Sequence, residues 1–153
     1  MGGSVAQRLH DGGLELPVPS AALGAYVPAT RAGDLVFTSG QLPMRAGELL
    51  GTGRVGDDVD VETAVRCARQ CALNALAAAS TVCDLDEIAQ VVKLVGYVAS
   101  APGFTGQPGV VDGASGVLAL AFGESGRHAR EAIGVAALPL GAPVEVSLVL
   151  ALR

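Results

Sequence analysis

The stretch DVETAVRCARQCALNALAAASTV, residues 60–82, decides the fold. Its apolar residues recur at steps of three and four, which predicts a helix with one apolar face. Acidic residues crowd its start, where the helix dipole favours negative charge. Many residues on the apolar face are alanines, so this helix can approach its partner closely. We expect that partner to be a β-sheet.

Segments rich in β-forming residues lie on both sides of this helix. The order of the elements predicts an α+β fold, a mixed sheet with two main helices on one face. Residues 1–20 are predicted to form a lead-in with a short helical patch, and residues 21–153 a single domain. The other predicted elements are strands at 26–30, 35–39, 88–98, 130–137 and 144–152, and a helix at 112–122 capped by Asp112 and ended by Gly123.

The composition bounds the possible partners. Half of the 153 residues are hydrophobic and only 16% are charged, against about 25% in an ordinary soluble domain. So few charged residues for the surface of a domain suggest that part of that surface is buried against other copies of the chain. A net charge of −5 argues against a nucleic-acid partner, which requires clustered Lys and Arg.

Neither a membrane partner nor a metal is expected. The apolar stretch 94–123 is interrupted by prolines and glycines, and the N-terminus lacks the apolar run of a signal peptide, so we expect a cytoplasmic protein. Cys67, Cys71 and Cys83 are interpreted as free thiols, because neither histidine is close to them in sequence. A metal site or a disulfide is the less favoured interpretation.

Two charged residues stand out within the predicted strands. Glu145 is the only charged residue in an alternating apolar strand, so it needs a partner, a water site or an altered pKa. Arg130 opens the preceding strand with small residues on its own side, which leaves room for a ligand. The alternatives are that Glu145 is solvated on an outer face or that the two residues form a plain ion pair.

The spacing of these two residues bears on where a shared site can form. If the last two strands form a simple hairpin, Glu145 pairs with Ala136 and Arg130 with Ala151. The two charged residues are then about 20 Å apart. A shared site would need a bent sheet or a second subunit.

Ser39 and Gly40 form another candidate, at the end of the second strand. A glycine after a strand exposes backbone N–H groups that can bind an anion or orient water. Ser39 is not expected to be a triad nucleophile, since no elbow motif surrounds it and neither histidine is placed as its base. The glycine-rich stretches match no nucleotide-binding motif.

From residue 23 to residue 153 the sequence resembles the Rid family, also called YjgF or L-PSP endoribonuclease-like, whose members include small imine and enamine deaminases. The motifs that carry the resemblance are GAYV at 24–27, LVFTSGQLP at 35–43, ARQ at 68–70 with Asn74, VKLVGYV at 92–98, Ala129–Arg130, Leu138–Pro139 and Val144–Val146.

The resemblance implies a chorismate-mutase-like fold and a homotrimer with sites in the clefts between subunits. It implies that Arg130 holds the carboxylate of a small substrate and that Glu145 activates the water that attacks the C=N carbon. Tyr26, Ser39, Gly40, Ser115 and Ala132 match residues lining the same cleft. No cofactor or metal is implied, because an imine carbon is already electrophilic.

The sequence departs from the deaminase pattern where Ala132 replaces a frequent cysteine. This altered lining argues against 2-aminoacrylate as the substrate. We expect His128 to be exposed at the strand end rather than part of the cleft. The leading hypothesis is hydrolysis of amino-acid-derived imines or enamines to 2-keto acids and ammonia. The alternatives are a non-catalytic carboxylate-binding protein and, less favoured, a ribonuclease.

Overall fold

A five-stranded mixed sheet forms one layer of the structure, and two long helices cover one of its faces. The computed structural model describes residues 2–22 and 24–153; Met1 and Leu23 lie outside the described residues. The elements are α1 (Val5–Asp11), β1 (Ala29–Ala32), β2 (Leu35–Thr38), β3 (Met44–Arg45), β4 (Glu48–Leu49), α2 (Val61–Ala79), β5 (Ile88–Ala99), α3 (Gln107–Phe122), β6 (Ala129–Val135) and β7 (Val144–Leu152). The α+β architecture predicted from the sequence is confirmed.

The strand order of the large sheet is β1-β2-β7-β5-β6, while β3 and β4 form a separate hairpin. In the large sheet β6 runs parallel to β5, and the other neighbours are antiparallel. The last two strands therefore do not form the simple hairpin considered from the sequence, because β5 lies between β6 and β7. Strand β5 is 12 residues long and pairs with β6 on one side and with β7 on the other.

Helix α2 confirms the prediction made from residues 60–82. The Asp60 side chain accepts a hydrogen bond of 2.7 Å from the Thr63 backbone N–H, which caps the helix. The apolar face of α2 packs on α3 and on β7. In residues 2–22 and 24–153, no helix combines the length and apolar character needed to cross a membrane.

Helix α3 begins five residues earlier than predicted. Pro108 lies in its first turn, where backbone N–H groups have no partner within the helix, so the N–H that proline lacks costs no hydrogen bond. The helix therefore starts after Gly106. Asp112 is therefore inside the helix and does not cap it, and its carboxylate pairs with Arg130 instead. The predicted end is confirmed, since Gly123 follows the helix with a φ of 59°.

The first strand begins later than predicted. It was expected over 26–30, but β1 is Ala29–Ala32, and Tyr26 lies in the bend that precedes it. Pro28 explains the later start, because it has no N–H to donate to β2 and only accepts a bond from the Ser39 backbone.

The N-terminal lead-in packs onto the helices. Val5 and Leu9 of α1 are fully buried in the core, and the Arg8 Nε donates to the Ala121 carbonyl of α3 at 2.6 Å. The Val5 backbone N–H donates to the Asp86 carboxylate at 2.7 Å. With α1 held in this way, the chain that follows reaches the candidate site.

Replacing Gly113 with Ala is expected to destabilise the protein by about 2 kcal/mol, since overpacking a core contact costs about this much. A Cβ at this position would lie 2.3 Å from the Val65 carbonyl oxygen, so α2 and α3 would have to separate. The matched control is Gly116→Ala on the same helix, where a Cβ meets nothing within 4 Å and alanine favours the helix. Urea unfolding of the two variants checks this. Equal effects would contradict the role of Gly113 at the crossing.

Candidate functional site

Glu145 lies in a cavity of about 350 Å³ at the start of β7. The buried residues of β7 alternate, with Val144 and Val146 on the helix side, so Glu145 lies on the opposite face of the sheet. The cavity combines this carboxylate with a mostly apolar wall. Its lining residues are Ser20, Ala21, Ala22, Tyr26, Pro28, Gly40, Gln41, Leu42, Met44, Asn74, Pro139, Leu140 and Glu145.

The Glu145 carboxylate has no hydrogen-bond or ion-pair partner among residues 2–22 and 24–153. Burial raises its pKa above that of an ordinary glutamate, because a partly buried carboxylate loses solvation when it ionises. An altered pKa is one of the possibilities that the sequence left open for this residue. A carboxylate of this kind is suited to accepting a proton from a bound molecule.

The chain around Gly40 fits closely against Glu145. A Cβ on Gly40 would lie 2.6 Å from the Glu145 Oε2, so any larger residue at this position would force the Glu145 carboxylate to shift. Gln41 forms a β-bridge with Val146, which holds the two segments side by side. The Ser39 Oγ donates to the Val27 carbonyl at 2.6 Å and so fixes the chain next to Tyr26.

Two features of the cavity wall were not among the predicted site residues, although Asn74 is one of the residues that carry the family resemblance. The lead-in supplies Ser20, Ala21 and Ala22, whose small side chains follow no periodic pattern. Asn74 on α2 is buried, and its Nδ2 donates to the carbonyls of Leu42 at 2.9 Å and Met44 at 3.0 Å. Asn74 thereby holds the wall segment against the helix layer.

Arg130 lies on the other face of the sheet, toward α3. Its Nη1 donates to the Asp112 Oδ1 at 2.7 Å and to the Ser115 Oγ at 3.2 Å. Its Nη2 makes a long contact of 3.4 Å with the Pro108 carbonyl. The Arg130 side chain is 25% exposed and that of Asp112 is 68% exposed, so solvent weakens this ion pair. Ala132, two residues along β6, is the small neighbour on the same face.

His128 is half-buried, which corrects the expectation that it is exposed at the strand end. Its Nε2 lies 2.9 Å from the Ser115 Oγ, and its Nδ1 lies 2.6 Å from the Gly126 carbonyl oxygen. Ser115 of α3 lies over the beginning of β6 and covers this side of the imidazole ring.

The candidate residues therefore form two groups. The Glu145 cluster consists of Tyr26, Ser39, Gly40 and Glu145, and the Arg130 cluster consists of Ser115, Arg130 and Ala132. Arg130 is in register with Leu94 and, through it, with Leu148, whereas Glu145 is in register with Tyr97. This register places the Cα atoms of Arg130 and Glu145 about 14 Å apart. Since the two side chains also point to opposite faces, they form neither an ion pair nor one site within a single chain.

The sequence profile of the family described as "YjgF/chorismate_mutase-like, putative endoribonuclease" matches residues 6–152. The chain belongs to the YjgF family. It is 41% identical to protein TCP17 of Trypanosoma cruzi over 153 residues, which is 99% of this chain and 96% of that protein.

Two solved structures share this fold. The protein Atu1372 of Agrobacterium tumefaciens, of unknown function, is 46% identical with a TM-score of 0.90, over 97% of this chain and 92% of that one. A "putative endoribonuclease" from Shewanella oneidensis MR-1 is 36% identical with a TM-score of 0.94, over 98% of this chain and all of that one.

The cysteines of this YjgF chain are free, as expected. Cys67 and Cys71 are buried in α2, and burial raises the pKa of Cys67 to about 11 and that of Cys71 well above its ordinary value. Both thiols therefore remain protonated near neutral pH. Within the part of the chain that the structure describes, no group of three His, Cys, Asp or Glu residues is placed to hold a metal ion.

Proposed function

We propose that the protein hydrolyses imines and enamines derived from amino acids to 2-keto acids and ammonia, in sites between the subunits of a homotrimer. One observation carries this proposal. A partly buried carboxylate with no partner among the described residues and an oriented guanidinium lie on opposite faces of one sheet. Each supplies half of what the reaction needs, and a second copy of the chain can bring the halves together.

Arg130 serves as the anchor for the substrate carboxylate. A guanidinium binds a carboxylate through two parallel N–H···O bonds, which fix the position of the adjacent C=N carbon. Ala132 lies two residues from Arg130 on the same face of β6, and its side chain is small. A substrate without a carboxylate would lack this anchor.

Glu145 serves as the base. Its carboxylate takes a proton from water while the water oxygen bonds to the carbon of the protonated imine, and the C=N electron pair moves to nitrogen to give a neutral carbinolamine. Glu145 then gives that proton to the nitrogen and the C–N bond breaks, so that ammonia leaves. The remaining hydroxyl passes its proton to the Glu145 carboxylate to form the keto group, and Glu145 releases this proton to solvent. Atoms balance with one water consumed, and no cofactor is needed.

The surface of the sheet supports association between copies. The face away from the helices carries Leu35, Phe37 and Ile133, each between 36% and 39% exposed, on a chain with few charges. Apolar side chains exposed on one face of a sheet are suited to burial against another copy of the chain. Burial of this face in a homotrimer accounts for them and places a neighbour next to the Glu145 cluster.

The test measures ammonia release from imines formed in situ by an L-amino acid oxidase. Replacing Arg130 with Ala is expected to lower kcat/KM by roughly 100-fold, because a bidentate charged hydrogen bond is lost. The control is Arg127→Ala, since the Arg127 side chain is 80% exposed and its polar contact among residues 2–22 and 24–153 is with Glu124 at 3.4 Å. Full activity in the Arg130 variant would overturn the proposal, and 2-keto-acid binding without any turnover would leave a binding protein in its place.

RNA cleavage is the other activity, suggested by the description of the family and by the name of the Shewanella relative. The net charge of −5 gives little support to binding of a polyanion. Cleavage of RNA by the purified protein that is lost in Glu145→Gln would favour this second candidate over the first.

A further inference from the structure

His128 takes part in a chain of hydrogen bonds whose direction is fixed. A carbonyl oxygen only accepts hydrogen bonds, so the His128 Nδ1 at 2.6 Å from the Gly126 carbonyl carries the proton. In the neutral ring Nε2 is then an acceptor, and the Ser115 hydroxyl, 2.9 Å away, donates to it. The single proton of Ser115 is thereby committed to the histidine.

This direction decides what Ser115 offers to Arg130. With its proton pointing at His128, the hydroxyl presents only lone pairs to the arginine, and the Nη1 donates to it at 3.2 Å. The same Nη1 donates to the Asp112 carboxylate at 2.7 Å. Both short polar contacts of the guanidinium are therefore on one nitrogen.

The opposite edge of the guanidinium is left open. The Nη2 has only the 3.4 Å contact with the Pro108 carbonyl, and the Nε has no hydrogen-bond partner in residues 2–22 and 24–153. The edge formed by Nε and Nη2 presents two parallel N–H donors, which is the geometry that a carboxylate accepts.

We propose that His128 is a positioning residue: acting through Ser115, it fixes the Nη1 side of Arg130 so that the Nε–Nη2 edge receives the substrate carboxylate. Asp112 shares the same nitrogen and acts as the resting counter-ion. This inference rests on the proposed function, in which Arg130 is the carboxylate anchor. It gives His128 a role in binding the substrate and none in the bond-making steps.

The test compares His128→Leu with His128→Gln. Leucine removes the acceptor for Ser115, whereas the glutamine side-chain oxygen can reach the place of Nε2. In the imine assay the leucine variant is expected to raise KM about tenfold with kcat within about twofold, since one hydrogen bond to a charged group is weakened. The glutamine variant should recover most of the affinity, and a fall in kcat with KM unchanged would overturn the proposal.

The matched control is His10→Leu. His10 is the other histidine, and its side chain is 66% exposed beside Glu15 in the lead-in, outside the candidate site. It should leave KM and kcat unchanged. If it raises KM as much as the His128 variant does, the effect belongs to histidine loss in general and the proposal fails.

A binding measurement separates this inference from the proposed function. The dissociation constant of a 2-keto acid is measured by calorimetry for Arg130→Ala, His128→Leu and Asp112→Asn. Asparagine keeps an acceptor for Nη1 and removes the competing negative charge. Asp112→Asn should therefore tighten binding a few-fold, which corresponds to roughly the free energy that an exposed ion pair contributes. If Arg130→Ala has no effect, the proposed function is wrong. If Arg130→Ala weakens binding and His128→Leu does not, only the role of His128 is wrong.

Discussion

Replacing Glu145 with Gln is expected to lower kcat for imine hydrolysis by at least about 100-fold, the usual contribution of a positioned base. Glutamine keeps the size of the side chain but cannot take a proton from water. Binding of a 2-keto acid should persist, because the arginine anchor is intact. Steady-state ammonia release and calorimetry together measure this. A variant with unchanged kcat would remove Glu145 from the mechanism.

The pH dependence gives the same variant a second readout. Glu145 acts as a base only when ionised, so the activity of the native protein should fall as the pH falls through the pKa of this carboxyl. Because burial raises that pKa, the fall should occur at a higher pH than for a free glutamate. The residual activity of the Gln variant should not show this fall in activity at low pH. Glu124→Gln, in which the replaced side chain is 90% exposed, is the control and should keep it.

Stability should change in the opposite direction from activity. The folded protein binds the Glu145 proton more tightly than the unfolded chain does, so the fold loses stability as the pH rises from the ordinary glutamate pKa through the raised pKa of the folded state. Glu145→Gln should therefore raise the Tm at neutral pH, and the gain should disappear once the pH is below the ordinary pKa of a glutamate. A lower Tm at neutral pH would show that the carboxylate is stabilised by the fold, which is inconsistent with a poised base.

The parts of the fold that rest on local periodicity could be predicted from the sequence. Helix α2 was predicted within a few residues, because its apolar residues recur at the helical period and Asp60 caps it. Strand β7 was predicted at its observed bounds, and its alternation singled out Glu145 as a carboxylate that burial would perturb. In both cases the pattern lies within a single element.

The features that depend on contacts between distant segments could not be predicted. No local pattern tells which strand pairs with β7, and β5 is apolar enough to lie between any two neighbours. The role of Asp112 depended on the start of α3, which one proline in the first turn moved by five residues. The contribution of Ser20–Ala22 to the cavity has no periodicity to reveal it.

The observed strand order favours a site shared between two chains. In a hairpin the two charged residues would be far apart along neighbouring strands, and a bent sheet could still bring them together. With β5 between them they point to opposite faces of the sheet, and bending does not move a side chain from one face to the other. The proposed site, which uses both residues, therefore needs a second chain.

Mixing two inactive variants is therefore expected to restore activity. Arg130→Ala subunits keep the Glu145 cluster, and Glu145→Gln subunits keep the Arg130 cluster. If the two variants are denatured together and refolded in equal amounts, about one quarter of the sites between subunits receive both intact halves, as random assembly of a cyclic oligomer requires. Ammonia release should rise from near zero to about a quarter of the native value.

The control is the same mixture prepared without denaturation, in which each oligomer contains a single variant and no site is complete. The double variant Arg130→Ala/Glu145→Gln, refolded with native protein, should in contrast lower the activity per native subunit. At each interface between a native and a variant subunit, the site lacks either Arg130 or Glu145. Failure of the refolded mixture to recover activity, with light scattering showing mixed oligomers, would mean that both residues act within one chain. That result would require a rearrangement of the sheet, since β5 separates the two residues in the folded chain.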